Sequence, residues 1–96
     1  MPLTEVVVFN AVLQRGNRIQ VPRDIRWRFK MEPDQVLKVE VFPLNSFSAL
    51  NEVFYICMTK DGRIAVPSLT RAILQSHRAK TQPLEGSVLK VRLSPA

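Results

Sequence analysis

The groups that catalysis and metal binding draw on are scarce in these 96 residues: one cysteine, one histidine, three glycines and eight Asp and Glu side chains. Cys57 and His77 each stand alone, so neither a metal cage nor a Cys/His dyad has enough members, and no disulfide can form within the chain. Three glycines supply no phosphate-cradling loop of the Walker or dinucleotide type. Asp24, Glu32 and Asp34 read as helix-end groups rather than an acid/base pair. His77 reads as an exposed residue, and Cys57, inside the apolar run 53–58, as a small buried hydrophobe. No apolar run approaches the roughly 20 residues of a membrane span, and the N-terminus lacks the basic start and cleavage site of a signal peptide. These absences predict a soluble, cytoplasmic protein that is not an enzyme and carries no cofactor or metal.

What the chain does have is a repeat. Arg18-Ile19-Gln20-Val21-Pro22 returns as Arg63-Ile64-Ala65-Val66-Pro67, and the run from Val36 to Pro43 returns from Val88 to Pro95. Val8-Phe9 and Val53-Phe54 lie equally far upstream of the first pair. A unit this short cannot bury an apolar face alone, so the two copies are expected to pack on each other as one domain over residues 1–96 with approximate two-fold symmetry. Repeat one spans 5–43, a linker 44–52, and repeat two 53–95.

Within each copy the pattern reads strand, strand, helix, strand. Residues 6–13 are apolar on both alternating faces, as for a strand covered on both sides. Gln14-Arg15-Gly16-Asn17 and Lys60-Asp61-Gly62 carry turn chemistry, each followed by a short strand, so each copy starts with a hairpin. Pro22 and Pro67 suit the first turn of a helix, where a missing N–H costs nothing. Ile25 and Phe29 share the apolar side of the first helix, and Arg23, Arg26 and Lys30 its basic side, while Glu32-Pro33-Asp34 ends it. The second helix offers Leu69, Ile73 and Leu74 as its apolar side, one residue out of step with the first. Trp27 reads as core or interface filling. Leu37, Val39 and Val41, then Leu89, Val91 and Leu93, alternate with charged residues in half-exposed strands. About seven extra residues lie between helix and strand in the second copy, spread through 77–86, and Phe42 to Asn51 join the copies. Six strands bury their inner faces only if the halves interleave, so the expected fold is mostly β with short helices: a small pseudo-two-fold barrel of two β-β-α-β repeats.

A basic hairpin tip, Arg18-Ile19-Gln20-Val21-Pro22-Arg23-Asp24-Ile25-Arg26, a short helix ending in Met31-Glu32-Pro33-Asp34 and a Val-rich strand together resemble the AbrB-like swapped-hairpin family of prokaryotic transcription regulators and antitoxins. Members are usually homodimers that swap hairpins, and the resemblance implies that this chain joins two such units into a single-chain pseudo-dimer. It also implies DNA binding through arginines that fall at Arg18 and Arg26 and, in the second copy, at Arg63 and Arg71. Other basic positions of the family fall at Trp27 and Ala72 and at Ala11 and Ile56, and its Pro-Gly-Asp turn is altered to Pro33-Asp34-Gln35 and Glu85-Gly86-Ser87.

Charge points the same way without deciding it. Lys and Arg exceed Asp and Glu by six, with seven basic and five acidic residues in 1–48 against seven and three in 49–96. An arginine after a turn or on an outer helix face is ordinarily solvated or ion-paired, for example to Asp24, Asp61 or Glu85. Symmetric recurrence is what favours function, because two equivalent basic patches about a two-fold axis suit equivalent phosphates on a duplex. The expected function is duplex DNA binding as a transcription regulator or nucleoid-associated factor through Arg18, Arg26, Arg63 and Arg71, with Arg15, Arg23 and Lys60 adding sequence-independent charge. The alternatives are a protein-interaction module, antitoxin-like or an assembly factor, with Trp27, Phe42 and Phe47 lining an apolar patch, and an RNA-binding protein. Further homodimerisation of the pseudo-dimer stays open.

Overall fold

The computed structural model describes residues 3–43, 52–76 and 86–96. They are mostly β with two short helices: β1 (Val7–Val12), β2 (Arg18–Gln20), α1 (Arg23–Arg28), β3 (Val36–Pro43), β4 (Glu52–Cys57), β5 (Arg63–Ala65), α2 (Ser68–Ser76) and β6 (Val88–Pro95). The joining segment 44–51 with Phe47, and the insertion 77–85 with His77, Arg78 and Glu85, lie outside the described residues. No helix among the described residues is long and apolar enough to cross a membrane.

Every ladder among the described residues joins one half of the chain to the other. β1 pairs with β6, β6 with β3 and β3 with β4, all antiparallel, in a four-stranded sheet ordered β1-β6-β3-β4, while β2 and β5 form a two-stranded antiparallel ribbon. Exchange of the halves maps this order onto itself. The expected hairpins exist as a path of the chain, but their arms separate at once: a single bridge, Gln14 to Arg18, links β1 to β2. Hydrogen bonding therefore stops at two sheets, and no closed barrel forms among the described residues. Three-residue strands that run directly into Pro22 and Pro67 are too short, and too poor in donors beyond their ends, to ladder onto the larger sheet.

Period-two alternation sends one side of each long strand inward. Leu37, Val39 and Val41 of β3 and Leu89, Val91 and Leu93 of β6 are buried, as expected. β1 corrects the expectation of a strand covered on both faces: Val7, Phe9 and Ala11 are buried, whereas Val8 and Val12 point to solvent. Cys57 is likewise exposed, because it falls on the outer side of β4, where its thiol donates to the Asp34 carbonyl at 3.6 Å. Ile19 and Ile64 face each other at the centre of the ribbon, fully buried, and close the core against the larger sheet. Leu3 joins that core because the Gln35 side-chain amide clamps its backbone, accepting from Leu3 N at 2.6 Å and donating to Leu3 O at 2.8 Å.

The helices follow their prolines, with Pro22 in extended geometry (φ −56°, ψ 140°) capping α1. α1 ends sooner than its Glu-Pro-Asp signal suggests. Met31 N bonds Arg26 O at 3.0 Å, Lys30 N bonds Trp27 O at 3.3 Å, and Lys30 adopts φ 51°, the left-handed closing geometry in which glycine is usual. Lysine at that place hid the stop from the sequence. α2 is also corrected: Thr70 and Leu74 are buried and Leu69 is 73% exposed. Counting from the prolines, Thr70 and Leu74 stand where Ile25 and Phe29 stand in α1, so the helices share one register and a threonine, not a phase shift, breaks the apolar pattern.

Candidate nucleic-acid interface

The two turns decide where the basic side chains go. In the second, Thr59 N donates to Arg63 O at 2.8 Å, Gly62 N to Thr59 O at 3.0 Å and Arg63 N to Thr59 Oγ1 at 3.0 Å, leaving Gly62 at φ +83°. Asn17 holds the corresponding place in the first turn at φ 60°, which asparagine tolerates better than most residues. Each turn then docks on the other half: Gly62 O accepts from Val21 N at 2.8 Å and Asn17 O from Val66 N at 2.7 Å. The Lys60-Asp61-Gly62 tip thus sits at the start of α1, and the Arg15-Gly16-Asn17 tip at the start of α2.

Because Ile19 and Ile64 point inward, their neighbours point outward. Arg18 lies opposite Ala65 and Gln20 opposite Arg63, so the two repeat-related arginines form a diagonal pair on one outer face, about 7–8 Å apart in a regular antiparallel ladder. Arg18 is exposed. Arg63 is half-exposed and directed by its surroundings: its Nε lies 3.5 Å from Asp61 Oδ2 and 3.4 Å from Gln20 Oε1. Gln20 Nε2 in turn donates to the carbonyls of Asp61 at 3.0 Å and Gly62 at 3.2 Å, tying the ribbon to the turn. The Thr59 hydroxyl donates to Asp61 Oδ1 and holds that carboxyl below its ordinary titration range, with the positive charges of Arg63 and Arg18 adding to the effect. One carboxylate is therefore shared by the arginine pair.

Arg26 and Arg71 are placed differently. Both are half-buried with buried Nε atoms, and the Arg26 side chain lies flat against the second turn, so close that a Cβ on Gly62 would come within 2.5 Å of its Nε and Cζ. Arg26 therefore packs one half on the other through its stem and guanidinium plane. Arg15, Arg23 and Lys60 are exposed. Arg23 lies over the Trp27 ring, 5.8 Å from its centroid, and with Asp24 and Trp27 lines an open hollow. Trp27 itself is 74% exposed, which overturns the core half of its reading as core or interface filling and leaves the interface half standing: with Ile25 and Phe29 turned inward, position 27 must face out.

Gln20, and Arg28 beside Phe29 at 5.9 Å, belong to this surface although the sequence did not single them out. Lys38, Lys90 and Arg92 lie instead on the outer face of the four-stranded sheet, away from the ribbon. Two of the second copy's basic residues, Arg78 and Lys80, fall outside the described residues, and those described around the ribbon belong more to the first copy. No group of three or more His, Cys, Asp or Glu side chains with metal-binding geometry occurs among the described residues.

No protein-family model matches the chain, and no curated protein matches it in sequence. The solution structure of PHS018 from Pyrococcus horikoshii superposes on 99% of this chain and 94% of its own length with a TM-score of 0.76, at 17% sequence identity. At that identity the likeness speaks for the fold alone.

Proposed function

We propose that this is a non-enzymatic, cytoplasmic DNA-binding protein, a transcription regulator or nucleoid-associated factor, that lays the β2–β5 ribbon against duplex DNA. A duplex major groove admits a two-stranded ribbon, and arginines at ribbon and tips supply sequence-independent attraction to phosphates. The observation that carries the proposal is the repeat-related pair Arg18 and Arg63 on one outward face, flanked by Arg15, Arg23 and Lys60. Arg26 takes a positioning role, holding its half on the second turn, and Arg71, half-buried with a buried Nε, is likewise partly withdrawn from the outer face. The exchange of β1 and β4 between halves supports the swapped-hairpin, AbrB-like reading of the pseudo-dimer. A band-shift titration at several salt concentrations tests it. Arg18→Ala/Arg63→Ala should weaken duplex binding and reduce the slope of log affinity against log salt by about two. Absence of duplex binding at low salt would end the proposal.

Trp27 favours a second reading, a protein-interaction module. An exposed tryptophan beside an arginine is the pairing that anchors protein interfaces. The same ring suits stacking on an unpaired RNA base. Trp27→Ala separates these from the duplex reading, because loss of a protein or RNA complex with duplex affinity unchanged would move the function to the helix.

A further inference from the structure

The four-stranded sheet has a second face that the ribbon never touches. Val8, Val12, Val36, Val53, Tyr55 and Val88 all stand out on it with 38% to 61% of their surface exposed. They surround one central ion pair, Arg92 Nε to Glu40 Oε1 at 4.0 Å. β-branched and aromatic side chains clustered in this way mark an interaction surface. Four strands at about 4.8 Å spacing and six to eight residues at about 3.4 Å each give a face of roughly 19 by 20–27 Å. Its plane area of roughly 380–510 Å², before side-chain relief is added, is about half to two-thirds of the roughly 800 Å² per partner of a standard interface, the size of a weak, reversible pairing.

The register names the occupant. Glu40 on β3 and Arg92 on β6 are equivalent positions of the two repeats and lie directly opposite each other, so the pseudo-two-fold axis passes between them. Equivalent positions thus carry opposite charges. We infer that this face pairs with the same face of a second copy, through a two-fold axis parallel to the strands. That operation lays β6 over the partner's β3 and sets Arg92 on the partner's Glu40, twice. Lys38 is registered with Ser94 and Lys90 with Phe42, so Lys38 meets the partner's Ser94 and Lys90 the partner's Phe42. Val8 is registered with Arg92 and Val53 with Glu40, so Val8 meets the partner's Val53. No like charges meet.

Exposure suits the central exchange, since the Arg92 side chain stands 48% exposed while Glu40, at 13%, sits low between its own Arg92 and the incoming one. Stacked twisted sheets keep their strands within about 30° of each other, which preserves this overlay near the centre of the face. An acidic protein would match the lysines but repel Glu40. The ribbons of such a dimer point outward on opposite sides, so the pairing is independent of what they bind.

Sedimentation of the full chain tests the inference, the monomer having a mass of 11.0 kDa. Wild type should be dimeric at about 100 μM, and Arg92→Glu, which sets glutamate against glutamate twice, should weaken association by roughly a hundredfold. The swap Glu40→Arg/Arg92→Glu should restore it to within about tenfold of wild type, because both contacts are remade with reversed sign. Val53→Lys, at an exposed position beside Glu40 that meets the partner's Val8 and takes no part in the ion pair itself, should weaken it roughly tenfold, and it decides the matter if Arg92→Glu does not fold. A wild-type monomer at about 100 μM, a dimer indifferent to Arg92→Glu and Val53→Lys, or a swap that fails to restore pairing would overturn the inference and leave the face to a partner of another kind.

Discussion

The two halves of the chain agree inside and diverge outside. Ile19 and Ile64, Val21 and Val66, Leu37 and Leu89, Val39 and Val91 occupy equivalent places and are all buried. On the outward side of the helices, Arg23, Asp24 and Trp27 are replaced by Ser68, Leu69 and Ala72. Packing tolerates few changes at close-packed positions, whereas the surface is free to vary at little cost in stability. The difference teaches that two-fold symmetry here belongs to the scaffold, while the features proposed to meet a ligand, apart from Arg18 and Arg63, are concentrated beside α1.

The sharpest way to break this comparison is at its centre. Ile64→Ala should cost about 2–5 kcal/mol, and Ile19→Ala about the same, because each removes a fully buried side chain from the closure of the core. The double variant should cost less than the two together, since the residues face each other and share one cavity. Urea midpoints at constant m-value measure all three. If one substitution were nearly neutral while the other was severe, the halves would not be energetically equivalent and the symmetry would be only geometric.

The turns offer a smaller and more local contrast. Gly16 and Gly62 share a left-handed backbone, at φ +85° and +83°, but an added Cβ meets nothing within 4 Å at Gly16 and meets the Arg26 side chain at Gly62. Gly16→Ala should therefore cost about 1–2 kcal/mol for backbone strain alone. Gly62→Ala should add a further 1–3 kcal/mol or so for displacing the guanidinium from its packed place. In an Arg26→Ala background that excess should vanish, leaving the two glycines alike. Equal costs in the wild-type background would show that Arg26 yields freely and does not hold the halves together.

Much of this arrangement was legible in the sequence. The repeated Arg-Ile-x-Val-Pro and Val-Leu-Lys-Val segments located the core strands and the order of elements, because period-two patterning and a proline boundary are local signals. What the sequence hid has local causes of its own. Val6, Val8 and Val12 look like one face of a doubly covered strand, and only pairing decides that their side of β1 meets solvent. Thr70 looks polar and sits inside, so on pattern alone Leu69 takes its place on the apolar side. The arginine pattern singled out four equivalent candidates, and only the cross-docked turns separate Arg18 and Arg63, which face out, from Arg26 and Arg71, which are drawn into packing. Asp61 was legible as a turn residue and a candidate ion-pair partner, and its bond from Thr59 is local to that turn, whereas Gln20 gave no sequence signal because its role depends on contacts with residues 61–63 of the other half.

Lys30 tests how strictly the helix end is built. A non-glycine residue at φ 51° carries strain of about 1 kcal/mol, and its backbone N–H is already used by Trp27 O. Lys30→Gly should raise stability by up to about 1 kcal/mol, read as a higher thermal midpoint. A lower midpoint would mean that the lysine side chain contributes more than the strain costs.

The smallest effect on stability belongs to Asp61, and it is the one that links the scaffold to the ribbon. Its carboxyl titrates below the ordinary range because the folded protein surrounds its charged form with the Thr59 hydroxyl, Arg63 and Arg18. A folded-state pKa below the unfolded one stabilises the protein above the unfolded value, near 4, and that contribution is lost as pH falls from there through the lower folded value. Asp61→Asn should therefore flatten the acid limb of the stability curve while leaving its shape above about pH 5 unchanged. The same substitution removes the negative charge shared by Arg18 and Arg63, so duplex affinity at low salt should rise by roughly threefold or more. A flattened acid limb with no gain in affinity would place the arginine pair away from the phosphates, whereas a gain that disappears in Arg18→Ala/Arg63→Ala would tie the charge of this one exposed face to the ligand.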